Sequence, residues 1–151
     1  MSGWHKFSDA INLHVEGRIS GDDALRQERS AREILRRLAD RPGVVLADEV
    51  GMGKTFVALA VATSVALSDK NRRPVVVMIP PSLREKWPND FDVFREKCLR
   101  ADVAKVVRAR FAENAVEFLG LLDDSPERQS SIIFFSHGAR QRRLTGGGVK
   151  V

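Results

Sequence analysis

The segment 46–55, Leu-Ala-Asp-Glu-Val-Gly-Met-Gly-Lys-Thr, restricts the possible folds of this chain more than any other stretch. The apolar run 43–47 overlaps its start and has the length of a buried strand, and the apolar run 55–67 follows with the length of a helix. Gly51 and Gly53 have no Cβ, so the backbone between strand and helix can approach an anion closely. A strand, a glycine-rich turn and a helix in this order predict a phosphate-binding loop.

The two residues that end this segment suit a nucleotide. Lys54 supplies a positive charge for the β and γ phosphates, and the Thr55 hydroxyl suits a magnesium ion that keeps most of its ligands as water. We therefore predict ATP and Mg²⁺ as cofactors, with Thr55 at the metal. The strict motif has a glycine where this chain has Asp48. The predicted nucleotide-binding residues of the loop are Asp48, Glu49, Val50, Gly51, Met52, Gly53, Lys54 and Thr55.

Further strand and helix patterns predict an α/β fold with a mainly parallel sheet. The run 75–79 is apolar at every position, which is typical of a parallel strand covered on both faces. With the loop and the helix 55–67 it forms a right-handed βαβ unit. The segment 101–107 is a candidate strand, 111–122 a candidate helix, and 131–136 a clearer strand.

The segment 23–40 has a helical pattern that Asp22 or Asp23 caps and Pro42-Gly43 ends. One face is apolar and the opposite face is rich in arginine, interleaved with Glu28 and Glu33. We interpret the arginine face as a solvated helix surface rather than a DNA or partner surface. The apolar residues are Leu25, Ala31, Ile34, Leu35 and Leu38, and the arginines are Arg26, Arg29, Arg32, Arg36 and Arg37.

Composition limits the class of protein. The 151 residues are one domain's worth, the longest apolar run is shorter than a membrane span, and no secretory signal pattern opens the chain. Cys98 is the only cysteine, which excludes an internal disulfide, and we expect a cytoplasmic protein. The net charge of +5 comes from residues 128–151, which hold five basic residues and no acidic one. His5 and His14 have no second ligand at helical spacing, so we predict no metal site there.

The segment "LADEVGMGKT" resembles the first helicase motif of the Swi/Snf-like branch of superfamily-two DEAD/DEAH-box helicases and ATPases, which reads D-E-x-G-x-G-K-T. The resemblance implies a RecA-like P-loop fold, a three-layer sandwich that hydrolyses ATP to translocate along double-stranded DNA. It also implies an upstream glutamine that binds adenine. Gln27 takes that place here, preceded by Arg26 where the family has an aromatic residue.

The segment 80–91 resembles the family motif after the second strand, in which Pro81, Leu83, Trp87, Asp90 and Phe91 match. Ser82 is predicted to cap the following helix, Trp87 and Phe91 to anchor it, and Pro88 to break or kink it. The end of the later strand 131–136 resembles a segment near the DNA backbone. The resemblance thus predicts DNA contacts at Pro81, Ser82, Arg84, Ser136 and His137.

The family's hydrolytic machinery also includes a strand ending in Asp-Glu and a second RecA-like lobe, and neither is found in the sequence. The segment 119–124 ends in two aspartates but fits a helix better than that strand. We therefore assign no catalytic residue, and expect an incomplete lobe over residues 23–144, a lead-in over 1–22 and a flexible tail over 145–151. Such a lobe would be marginally stable or aggregation-prone without a complementary chain.

Two interpretations follow for function. The first is the ATP-binding part of a Swi/Snf-like DNA-dependent ATPase that does not hydrolyse ATP alone. The second is a non-catalytic nucleotide-binding or interaction module that docks with a complementary chain. A kinase, the third class with a phosphate loop, is disfavoured by the tryptophan segment that follows Pro80-Pro81.

Overall fold

A computed structural model describes residues 6–47 and 53–136. The predicted loop residues 48–52, His137 and the tail 145–151 lie outside the described residues. The elements in chain order are α1 (Gly21–Leu38), α2 (Lys54–Ser68), β1 (Val75–Ile79), a short 3-10 turn (Pro81–Leu83), α3 (Lys86–Cys98), α4 (Ala101–Ala104), β2 (Ala109–Ala112), α5 (Ala115–Leu122) and β3 (Ile132–Ser136).

The three described strands form one open sheet in the order β1-β3-β2, and all of them are parallel. Ile132 at the start of β3 pairs with Val75 on one side and with Ala109 on the other. Each strand follows a helix, as parallel pairing requires. The predicted α/β class and parallel sheet are confirmed, and the small sheet is consistent with an incomplete RecA-like fold.

Helices cover the two faces of this sheet unequally. On one face α1, α2 and α3 pack in a single cluster, in which Leu35, Leu59, Phe94 and Phe134 are buried. Of the described helices, α5 alone packs on the other face, where Phe118 stacks on Phe135 with ring centroids 4.9 Å apart. The prediction that both faces of β1 are covered is wrong, because Val76 and Met78 are exposed.

The predicted strand 43–47 is not a strand among the described residues. Val45 is 90% exposed, although it lies in the middle of that apolar run. A strand needs a neighbour for its backbone hydrogen bonds, and the sheet of the described residues consists of β1, β3 and β2. The apolar composition therefore did not suffice to form a strand here.

Two predictions between residues 101 and 122 are also wrong in their boundaries. The predicted strand 101–107 contains the helix α4, and the strand β2 lies at 109–112. The predicted helix 111–122 begins only at Ala115, because the Asn114 side chain accepts hydrogen bonds from the backbone N–H groups of Val116 and Glu117. Local caps and turns thus determined where these elements begin more strongly than the pattern of apolar residues did.

The helix α1 starts earlier than predicted. Its N-cap is Ser20, whose hydroxyl accepts from the Asp23 N–H at 3.1 Å, and not Asp22 or Asp23. Leu25 is 47% exposed, whereas the neighbouring Gln27 is buried. The arginine face is held by ion pairs within the helix, as expected for a solvated surface: Arg26 with Asp23, Arg32 with Glu28, and both Arg36 and Arg37 with Glu33.

The segment before α1 is irregular, as expected, but it belongs to the core. Phe7, Ile11 and Leu13 are buried in the same cluster as the helices. Ile11 forms an antiparallel bridge with Leu99, and the Arg100 N–H donates to the Ala10 carbonyl at 2.9 Å. This segment therefore fixes the end of α3.

Candidate functional site

Most of the predicted site residues that the structure describes lie at the carboxyl ends of the strands or at the N-terminus of α2, and Gln27 lies within α1. The turn after β1 carries Pro81, Ser82 and Arg84, and Ser136 ends β3. The C-terminus of α2 leads into the amino end of β1, so the helix runs back along the sheet and its N-terminus lies toward the carboxyl ends. Ligands of open α/β sheets bind at this edge.

Gly53 occupies a position that only glycine fits. It is the N-cap of α2 and has a left-handed backbone conformation, with φ 76°. A Cβ at this position would lie 2.2 Å from Nε2 and 2.8 Å from Cδ of Gln27. Both the dihedral angle and the lack of space therefore require a residue without a side chain.

Gln27 connects α1 to this loop. The residue is buried, with 6% of its surface exposed, and Oε1 accepts no hydrogen bond from any described residue. Leaving a buried acceptor without a donor is unfavourable by about 1–3 kcal/mol. The predicted adenine-binding residue thus contacts Gly53 of the predicted phosphate loop through Nε2 and Cδ, and its Oε1 is a buried acceptor without a donor.

Lys54 and Thr55 are the first two residues of α2, and both are partly buried. The first hydrogen bond at this end runs from the Val57 N–H to the Gly53 carbonyl at 3.2 Å. The start of an α-helix is in general favourable for an anion, because of the orientation of its first N–H groups and the helix dipole. The helix prediction for this segment is confirmed with one more residue at each end.

The turn after β1 differs from the prediction. Pro81 and Ser82 lie exposed in the 3-10 turn, and Ser82 does not cap α3, which begins at Lys86 after Glu85. Pro88 does not break the helix, because it lies in the first turn, where its missing N–H is not needed. The predicted anchors are confirmed, since Trp87 and Phe91 both pack edge-on against Phe134.

The Arg84 side chain is half exposed and already has two partners within the chain. Its guanidinium forms an ion pair with Glu113 and lies over the ring of Phe111, 5.6 Å from the ring centroid. Glu113 was not predicted as a site residue. The two residues are 29 positions apart, and no sequence pattern connects them.

Ser136 is the last residue of β3 and is 7% exposed, so it is buried rather than presented to solvent. The segment 119–124 is helical up to Leu122, and the Asp123 N–H donates to the Leu119 carbonyl, which agrees with the helix preferred from the sequence.

Residues 6–47 and 53–136 contain no cluster of three or more His, Cys, Asp or Glu that could hold a metal ion. Burial raises the pKa of the Cys98 thiol to about 11.

Comparison with known proteins gives a family match. Residues 26–115, more than half of the chain, match the SNF2-related domain family. No solved structure matches the chain significantly. No helix in the described part of the chain has the length and apolar character to span a membrane.

Curated relatives match over shorter stretches. RNA polymerase-associated protein RapA of Histophilus somni is 42% identical over 57 residues, which is 38% of this chain and 6% of that protein. RapA of Pseudomonas putida is 45% identical over 56 residues, 36% of this chain and 6% of that protein. RapA of Pseudomonas aeruginosa is 37% identical over 84 residues, 56% of this chain and 8% of that protein. The chain thus spans less than a tenth of the length of these relatives.

The family match covers α1 from Arg26 onward and all of α2, β1, α3, α4 and β2, and therefore includes Gln27, Lys54 and the turn after β1. The parallel α/β arrangement agrees with it. The chain belongs to the SNF2-related domain family, as the resemblance to Swi/Snf-like superfamily-two helicases and ATPases implied.

Proposed function

We propose that this chain binds ATP with Mg²⁺ through residues 48–55 and Gln27, as the nucleotide-binding part of a Swi/Snf-type ATPase that acts on double-stranded DNA. The contact between Gln27 and Gly53 carries the proposal. It places the Gln27 side-chain amide, whose buried Oε1 has no donor, against the one described loop residue that cannot bear a side chain. An adenine amino group is a donor of the kind that Oε1 lacks.

Different residues would bind different parts of the nucleotide. Gln27 would bind the adenine edge, and the backbone of the glycine loop with the start of α2 would bind the phosphates. Lys54 would neutralise the β and γ phosphates, and the Thr55 hydroxyl would bind magnesium. ATP would supply the phosphoanhydride bond whose cleavage powers translocation in such ATPases.

Hydrolysis would require groups beyond those assigned here. The residues assigned here would provide the phosphate and adenine contacts, whereas Asp123 and Asp124 follow a surface helix rather than a strand. We therefore propose ATP binding without hydrolysis by the chain alone. A complementary chain or lobe would supply the acidic residue that positions water and the arginines that stabilise the transferring phosphoryl group.

The test is calorimetry of Mg-ATP binding to the wild type, Lys54→Ala and Gln27→Ala. Lys105→Ala is the matched control, because Lys105 is exposed beside α4, on the segment that leads to the amino end of β2. We expect a loss of binding of about 10-fold or more for Lys54→Ala, as removal of a charged hydrogen bond worth about 1.5–3 kcal/mol implies. Lys105→Ala should bind as the wild type does, whereas equal affinity of all four proteins would contradict the proposal.

Phosphate release in the same samples tests the absence of hydrolysis. We expect no release above background with or without duplex DNA. Release that duplex DNA stimulates and that Lys54→Ala abolishes would mean that the chain contains a catalytic carboxylate, and would contradict the second half of the proposal.

A second candidate function is a non-catalytic module that docks with a complementary chain. The exposed face of β1 favours it, because Val76 and Met78 offer apolar surface beside a sheet edge. Nucleotide binding that is unaffected by Lys54→Ala, together with a 1:1 complex with a separately produced remainder of a Swi/Snf-type lobe, would favour this function over the first.

A further inference from the structure

The ion pair between Arg84 and Glu113 connects two strands that are not neighbours. Arg84 follows β1 and Glu113 follows β2, whereas β3 lies between these strands in the sheet. Neighbouring strands are about 4.8 Å apart, so β1 and β2 are separated by roughly twice that distance. The two side chains bridge this separation at the carboxyl ends of the strands. It therefore lies at the edge where the DNA contacts are predicted.

Both partners are held in place by their own surroundings. The Arg84 N–H donates to the Pro81 carbonyl, and the guanidinium lies over Phe111. The Glu113 N–H donates to the Glu117 side chain at 2.8 Å, at the start of the helix that Asn114 caps. The carboxylate is thus presented from an ordered helix start to an oriented guanidinium.

We propose that the Glu113 carboxylate occupies the position of a DNA backbone phosphate on Arg84, so that duplex DNA must displace it. The inference rests on the proposed function, in which Arg84 contacts DNA. A carboxylate and a phosphate present similar oxygen acceptors to the guanidinium fork. Glu113 therefore competes with DNA for the N–H donors of Arg84 and weakens the binding of DNA.

The exposure of the pair sets the size of the effect. The side chains of Arg84 and Glu113 are 49% and 53% exposed, so water can replace either partner. Exposed ion pairs contribute little free energy. The contribution corresponds to a factor of about 2 to 5 in an equilibrium constant. Such a contact is weak enough for DNA to displace and strong enough to measure.

The test is a double-mutant cycle with wild type, Glu113→Gln, Arg84→Gln and the double variant. Binding to a short duplex DNA is measured by fluorescence anisotropy at one low salt concentration, because phosphate contacts depend on salt. We expect Glu113→Gln to tighten binding about 2- to 5-fold in the wild-type background. In the Arg84→Gln background the same change should have no more than a small effect, because the competition is gone.

Asp102→Asn is the control for loss of a negative charge. Asp102 forms an ion pair with Arg100 that is also exposed, on the segment that leads to the amino end of β2. DNA affinity should not change in this variant. Circular dichroism on each variant checks that the fold is retained.

The outcomes separate this inference from the proposed function. Equal tightening by Glu113→Gln in both backgrounds would overturn it, since general repulsion would then explain the effect. Failure of all four proteins to bind DNA, with ATP binding that depends on Lys54, would overturn it and leave the nucleotide site intact. Binding by Glu113→Gln alone would support it.

Discussion

At the scale of single residues, Gly53 is the position where a small change should have the largest effect. We expect Gly53→Ala to lower the free energy of unfolding, because a left-handed conformation costs an alanine about 1–2 kcal/mol. The new Cβ would also overlap the buried Gln27 amide, 2.2 Å away. Urea unfolding of the wild type and the variant measures the change.

Gly120 and Gln27 provide controls for this prediction. A Cβ at Gly120 would meet nothing within 4 Å, and this glycine lies within α5. Gly120→Ala should therefore stabilise the protein by about 1 kcal/mol. The double variant Gly53→Ala, Gln27→Ala removes the overlap but not the dihedral strain, so Gly53→Ala should cost less stability in the Gln27→Ala background than in the wild type. A Gly53→Ala variant as stable as the wild type would contradict this explanation.

The need for a glycine at position 53 could be predicted from the sequence, but contacts between distant residues could not. Gly53 and Lys54 were identified because loop chemistry demands those residue types at adjacent positions. The contact of Gln27 with Gly53 depends on how α1 packs against α2, and the pair of Arg84 with Glu113 depends on the strand order. Neither arrangement is encoded in a local pattern.

At the scale of elements, the turn between α2 and β1 should be sensitive to acid. The Arg73 guanidinium beside Asp69, with backbone N–H donors of Arg73 and Asn71, lowers the pKa of the Asp69 carboxyl to about 2. Arg72, in this turn, has a positive φ of 55°. The charged carboxylate thus holds a turn that contains a strained residue.

The lowered pKa fixes the sign of the pH dependence. Because the folded protein binds the Asp69 proton more weakly than the unfolded chain, this contribution to stability is present above pH 4 and is lost as the pH falls toward 2. We expect Asp69→Asn to lower stability at pH 6 and to reduce the loss of stability between pH 4 and 2. Urea unfolding across this range measures both effects, and parallel curves for variant and wild type would contradict the assignment.

Boundaries of elements were less predictable than their existence. The helix 55–67 and the strand 75–79 were predicted nearly as they occur, because long runs of apolar residues leave few alternatives. The strand at 109–112 was missed because it is short and contains the charged Arg110. The start of α5 depends on the side chain of Asn114, which outweighs the apolar residues before it.

At the scale of the whole molecule, the sequence pattern predicted the parallel sheet but not which of its faces is covered. A strand that is apolar at every position indicates burial on both sides only if a helix packs on each side. Here α5 packs on β2 and β3, and Met78 of β1 remains 55% exposed. Whether this face of β1 is covered depends on the position of the short helix α5, and no local sequence pattern specifies that position.

The uncovered face of β1 should drive self-association of the isolated chain. We expect the double variant Val76→Thr, Met78→Thr to associate less, because threonine keeps the β propensity while it removes apolar surface from the exposed face. Its free energy of unfolding should stay within about 0.5 kcal/mol of the wild type, as for other surface substitutions. Sedimentation velocity over a range of protein concentrations measures the association.

Ile79→Thr on the same strand is the matched control, because Ile79 is buried at 1% exposure. A hydroxyl there has no partner, and the loss should be about 1–3 kcal/mol for the unsatisfied group alone. If the double variant were as destabilised as Ile79→Thr, the face of Val76 and Met78 would have to be covered in the folded protein. If the wild type stayed monomeric at every concentration, the exposed face would not cause association. Weaker association at unchanged stability would identify this face as surface that the folded chain leaves available to another molecule.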